Sequence, residues 1–147
     1  MRSKTITVIA VVNAVGAILT AVFWSLVFFR IFAAEHLPPE LDAGSVSTTF
    51  GFMVADLLWA LLLLVVSVIG LWQLRPWGWL AAQMINILWI YSMTVIWCRD
   101  IDGGHVSPGA ILFLPFVPFA VWAIFALWRK REDFGLSTHV QTTSGQK

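Results

Sequence analysis

The stretch Leu71-Trp-Gln-Leu-Arg-Pro-Trp-Gly-Trp-Leu80, LWQLRPWGWL, sets three of the chain's nine tryptophans around one arginine, one proline and one glycine. A long apolar run precedes it and another follows. Pro76 disfavours helical geometry at Arg75 and so ends one helix, and Gly78 is expected to let the chain turn. Indole side chains have an apolar body and a polar N–H, so they settle at the depth of lipid headgroups. Trp72, Trp77 and Trp79 fit that place, and Arg75 supplies the basic charge found on the cytoplasmic side of bilayers. A tight hairpin between two spans, belted by aromatics, accounts for every residue better than a ligand site does. The segment ALWRKRE repeats the solution, with Trp128 as the anchor before Arg129, Lys130 and Arg131.

Working outward, the 147-residue chain is 59% hydrophobic and only 12% charged, with a mean hydropathy of +0.84. Soluble domains carry about a quarter charged residues, so this chain cannot face water all round. A helix needs about 20 mainly apolar residues to cross a bilayer core. Four spans meet that test, at residues 6–32, 49–74, 77–97 and 108–128, and Asp56 is the sole formal charge within their apolar cores. The expected fold is an all-α integral membrane protein, a four-transmembrane-helix bundle over residues 1–134 with a polar, flexible tail at 135–147. The first run is too long for a cleaved signal peptide.

Basic residues near the span ends set the orientation. Arg2, Lys4, Arg75, Arg129, Lys130 and Arg131 share one side, against Arg30 and Arg99 on the other. Both termini are therefore expected in the cytoplasm, with the bacterial inner (plasma) membrane as the residence. A net charge of +1 implies no nucleic-acid surface. Ser107-Pro108 reads as the N-cap and first residue of the fourth span. Pro115 and Pro118 should kink that span.

Small and polar side chains indicate which faces meet. Ala10, Asn13, Ala14, Ala17, Thr20 and Ala21 recur at three- and four-residue spacing on the first span, and Asp56, Ala60, Ser67 and Gly70 do so on the second. Gln83, Asn86 and Thr94, with Tyr91 nearby, form the polar stripe of the third. With Asn13 these are expected to face inward and hydrogen-bond between helices, because lipid offers no partners.

Asp56 is the sharpest clue. About seven residues into its helix, it lies roughly 10 Å below the outer end. A carboxylate at that depth must be paired, protonated or wetted. Arg30 is the expected counter-ion, with Arg99 as second choice. An ion pair that holds the helices in register is the simpler reading, and an outward-facing polar pocket for a cation, proton or small polar solute is the sharper one. Glu35, His36, Asp102 and His105 include types that ligate metals, but their spacing matches no compact motif, so solvated acidic loops are expected and no metal.

No histidine or lysine lies inside a span, which argues against a bis-histidine haem or a retinal Schiff base. There is no Cys-x-x-Cys, G-x-G-x-x-G, Walker loop or nucleophile elbow. No catalytic residues and no cofactor are expected. The first expectation is therefore a non-enzymatic accessory, assembly or interaction subunit, with the bilayer and a membrane-protein partner or a second copy as its contacts. The alternative is an oligomeric carrier or channel component that binds its solute at a pocket around Asp56. A membrane enzyme acting through Asp100, Asp102 and His105 ranks last.

Overall fold

The structure, a computed structural model, describes residues 3–32, 43–104 and 106–136, and every regular element among them is helical. Four stretches, Lys4–Ile31, Val46–Trp72, Pro76–Gly103 and Pro108–Arg129, are long and apolar enough to cross a membrane. At 1.5 Å per residue, the first three are each roughly 40 Å long. The tail beyond residue 136 and most of the segment between the first two spans, including Glu35, His36, Glu40 and Asp42, lie outside the described residues.

The first span is α1 (Lys4–Val27) continued by a π-helical turn, Phe28–Phe32. Its N-cap is Ser3, whose Oγ accepts from the Ile6 N–H at 3.4 Å, so one of the four orphan donors at the helix start is satisfied. The second span is α2 (Ala43–Ala55), a π-helical turn at Asp56–Ala60, and α3 (Leu61–Trp72). The third is α4 (Pro76–Gly103). The fourth is α5 (Pro108–Phe113) and α6 (Phe116–Arg129), followed by a 3₁₀ turn at Arg131–Phe134.

α3 packs against α1 on one side and α4 on the other, and α4 packs against α6. The four spans converge at the end where the described chain starts, at Ser3, and stops, at Leu136, hereafter the termini end. There Ile6, Ile9, Leu71, Ala82, Ala123 and Leu127 are fully buried, and Phe134 of the 3₁₀ turn completes the cluster. Within a bilayer such side chains gain little by leaving apolar lipid, so the cluster holds through close van der Waals packing.

The hairpin of the opening stretch is built differently from its sequence reading. Gly78 does not turn the chain. It lies in the first turn of α4, face to face with Gly70 of α3, and a Cβ on either would overlap the backbone of the other. The turn itself runs through Leu74, whose φ of 54° is the left-handed conformation, at a cost of roughly 1–2 kcal/mol for a non-glycine residue. The Arg75 N–H closes it onto the Gly70 carbonyl at 2.9 Å, and Pro76 opens α4 at a position where its missing N–H is harmless.

Three further points differ. The helix of the second span begins at Ala43, ahead of the expected start at 49. α4 runs past Trp97 to Gly103, because nothing in Cys98-Arg99-Asp100-Ile101-Asp102 breaks a helix, and Gly104 stops it in the left-handed cap at φ 64°. The fourth span is interrupted at Leu114–Pro115 alone. Pro118 falls in the first turn of α6, whose N–H groups have no intrahelical partner in any case.

The polar stripes divide. Asn13 Nδ2 donates to Ser67 Oγ at 2.9 Å, and that hydroxyl donates to the Leu64 carbonyl at 2.8 Å. Gln83 Nε2 donates to the Ile124 carbonyl at 3.2 Å, and Asn86 is buried. Tyr91 and Thr94, by contrast, face outward. The helical period explains it. The inward face defined by Asn86 continues at Met93, while 91 and 94 are rotated well away from it. Thr94 satisfies its hydroxyl by donating to the Ile90 carbonyl at 2.8 Å.

Candidate functional site

At the end away from the termini the bundle opens. Among the described residues α2 packs substantially only against the π turn that continues it, so the outer part of the second span stands apart from α4 and α5, while the first span still meets α5 through Phe23. Between them lies a cavity of about 1110 Å³, just above the usual size range of small-molecule sites. Ala60, Ile85, Thr20 and Leu88 are among the residues that line it below, and Thr48, Thr49, Ser92 and Ser107 bring hydroxyls to its walls.

Asp56 is on this wall, at the first residue of the π turn. Single π-helical turns inserted in α-helices occur often at functional sites, where they rotate a side chain out of the regular register. Here the Leu61 N–H bonds to the Asp56 carbonyl, five residues back. The partner of the Asp56 carboxylate is Trp24, whose Nε1–H donates to Oδ2 at 3.0 Å. Among the described residues no cation forms an ion pair with Asp56.

The structure brings Asp56, Arg30 and Arg99 to one cavity, but neither arginine bonds to the carboxylate. Arg30 sits six residues beyond Trp24, in the π turn that ends the first span, about 9 Å further along the axis at a helical rise. Arg99 donates from Nε and Nη2 to Asp100 Oδ1 at 3.2 and 2.8 Å. Asp100 Oδ2 accepts from the Ser107 N–H at 2.7 Å and from Ser107 Oγ at 2.8 Å. Buried Asp100 thus ties the end of α4 to the N-cap of α5, and Ser107 Oγ in turn accepts from the Ala110 N–H at 3.4 Å. Asp102 also lines the rim. His105 lies outside the described residues.

Aromatic rings form much of the remaining wall. Phe23 stands edge-on to Trp24 and to Phe113, with centroids 5.1 and 5.5 Å apart. Trp89 lies 5.1 Å from Phe113 and stacks on Phe116 at 5.0 Å. The sequence reading missed Trp24, Trp89 and Phe113. Trp24 was accessible to it, because the spacing 10, 13, 17, 20 on the first span continues to 24. Trp89 and Phe113 carry no comparable signal, as apolar aromatics in apolar helices look alike.

The other singled-out residues lie elsewhere. Asn13, Gln83 and Asn86 occupy the bundle interior nearer the termini, and Tyr91 and Thr94 its outer surface. Trp72, Trp77 and Trp128 are exposed around the termini end, as is Arg75 in the hairpin. Trp79 is half-buried there; its Nε1–H donates to the Leu127 carbonyl at 2.9 Å, which also accepts from the Lys130 N–H at 3.1 Å, and its ring lies 5.8 Å from that of Trp128. No known protein family, curated protein or solved structure matches the chain.

Proposed function

We propose that the chain is a four-span protein of the bacterial plasma membrane, both termini cytoplasmic, that binds a small solute in the Asp56 cavity from the outer side. Membrane residence is supported by the length and composition of the four spans, and orientation by the basic residues. Lys4, Arg75, Arg129, Lys130 and Arg131 gather at the termini end, against Arg30 and Arg99 at the cavity end. The observation that carries the binding role is a carboxylate on the wall of a large cavity, hydrogen-bonded to a neutral donor and ion-paired with no cation among the described residues. Ionisable groups at such depth are costly and mark binding sites or pathways. The packed cluster at the termini end closes the bundle beneath the cavity, which favours a binding subunit or one state of a carrier over an open channel.

The accessory or assembly role draws on a different observation. The second span leaves one flank uncovered, with Leu57, Leu58 and Trp59 exposed, as a partner helix would require. Native mass spectrometry of protein extracted in mild detergent separates the two. A retained small molecule that is lost in Ser92→Trp, which sets an indole into the cavity, supports binding. Stoichiometric subunits with no retained molecule point to the accessory role and overturn the binding one.

A further inference from the structure

We infer that the solute is a lipophilic organic cation, a bulky ammonium-like group held between the Asp56 carboxylate and the aromatic walls; this rests on the binding role proposed above. Charge accounting comes first. At the rim Arg99 is neutralised by Asp100, and Arg30 is matched in sign count by Asp102. Deeper in, Asp56 stands as the one formal charge on the wall among the described residues. A cation placed there replaces the missing counter-charge, whereas an anion would add repulsion in a medium that screens little.

The walls supply the rest of the recognition. Indole and phenyl faces attract cations through the ring quadrupole, most strongly when water is excluded. Trp24 positions the carboxylate through its N–H, and Phe23, Trp89 and Phe113 surround the same space. Around the carboxylate the wall is mostly apolar and aromatic, with Phe52, Ala60, Phe23 and Trp89 among its lining, so a heavily hydrated metal ion or a small polar zwitterion would lose more water contacts there than the site returns. A delocalised or alkylated cation gives up little hydration and gains apolar burial against these walls.

Equilibrium dialysis against the full chain in nanodiscs of zwitterionic lipid, with empty discs as reference, tests this directly. The probes are tetraphenylphosphonium, tetraphenylborate (an anion of the same shape) and neutral triphenylmethanol. The expected result is saturable uptake of one phosphonium per chain, weakened tenfold or more by Asp56→Asn and nearly restored by Asp56→Glu, with borate no higher than in empty discs. Equal uptake of both ions by the wild-type chain overturns the assignment even where Asp56→Asn fails to fold. So does phosphonium binding unchanged in a folded Asp56→Asn. If triphenylmethanol alone saturates and Ser92→Trp abolishes it, the cavity binds solutes but not by charge. If no probe shows a saturable component, the binding role falls as well.

Discussion

Gly78→Ala should loosen the bundle at the hairpin. An alanine Cβ there would overlap the Gly70 Cα and carbonyl carbon and stand 2.6 Å from the Leu71 nitrogen. Ordinary contact begins near 3.5 Å, so α3 and α4 must part by about 1 Å. The obstacle is backbone, which cannot rotate aside. Overpacking of this kind costs about 1–3 kcal/mol, against which alanine returns roughly 0.5–1 kcal/mol of helix propensity. A net loss of about 1–2 kcal/mol is expected, read as a lower midpoint of unfolding in mixed micelles of increasing denaturing detergent. Gly51→Ala is the control. Nothing lies within 4 Å of its Cβ position, so propensity acts alone and stability should rise slightly. Gly70→Ala/Gly78→Ala should cost less than the sum of the single changes, because the first Cβ has already parted the helices. Equal or greater stability of Gly78→Ala would show that the helices do not approach through these two glycines.

Other expectations follow from single contacts. Asp100→Ala removes the acceptor for the Ser107 N–H and hydroxyl and for Arg99; a loss of about 2 kcal/mol is expected on thermal unfolding, whereas Arg99→Ala, with a side chain 40% exposed, should cost well under 1 kcal/mol. Asn13→Leu breaks the bond to Ser67 yet should cost only about 0.6 kcal/mol, the average for bonds between helices in lipid. Asn86 Nδ2 is buried with no protein partner, so Asn86→Leu should leave the unfolding midpoint unchanged or raised; a fall of several degrees would assign that amide a structural role. Trp79→Phe deletes one of two donors to the Leu127 carbonyl, the Lys130 N–H remaining, and should lower stability by about 0.5–1 kcal/mol.

Much of this architecture is legible in the sequence because apolar length and helix punctuation are local properties. Four long apolar runs, Pro76, and the Ser107-Pro108 pair announce the spans and two of their starts. The spacing from Ala10 to Thr20 also points to the inward face of the first span. The close approach of Gly70 and Gly78 was not legible, since a glycine near a turn reads as a turn residue until the facing helix is in view. Thr94 was assigned inward by polarity, although the period that places Asn86 inside puts 94 outside, where back-bonding to Ile90 meets its needs. The Asp56 site was half-legible. Its acid stands out in an apolar run, but its partner is an indole rather than Arg30, and which donor reaches a carboxylate is set by how the first two spans pack.

The most direct test of the cavity compares two cysteines two residues apart, each in a Cys98→Ser background. Ser92 lines the cavity and Thr94 faces outward, at depths differing by about 3 Å along one helix. In reconstituted membranes, a charged, membrane-impermeant thiol reagent should label Ser92→Cys and be excluded from Thr94→Cys, and tetraphenylphosphonium should slow the labelling of the first. Equal labelling of both, or none of Ser92→Cys, would contradict a wetted cavity beside Asp56.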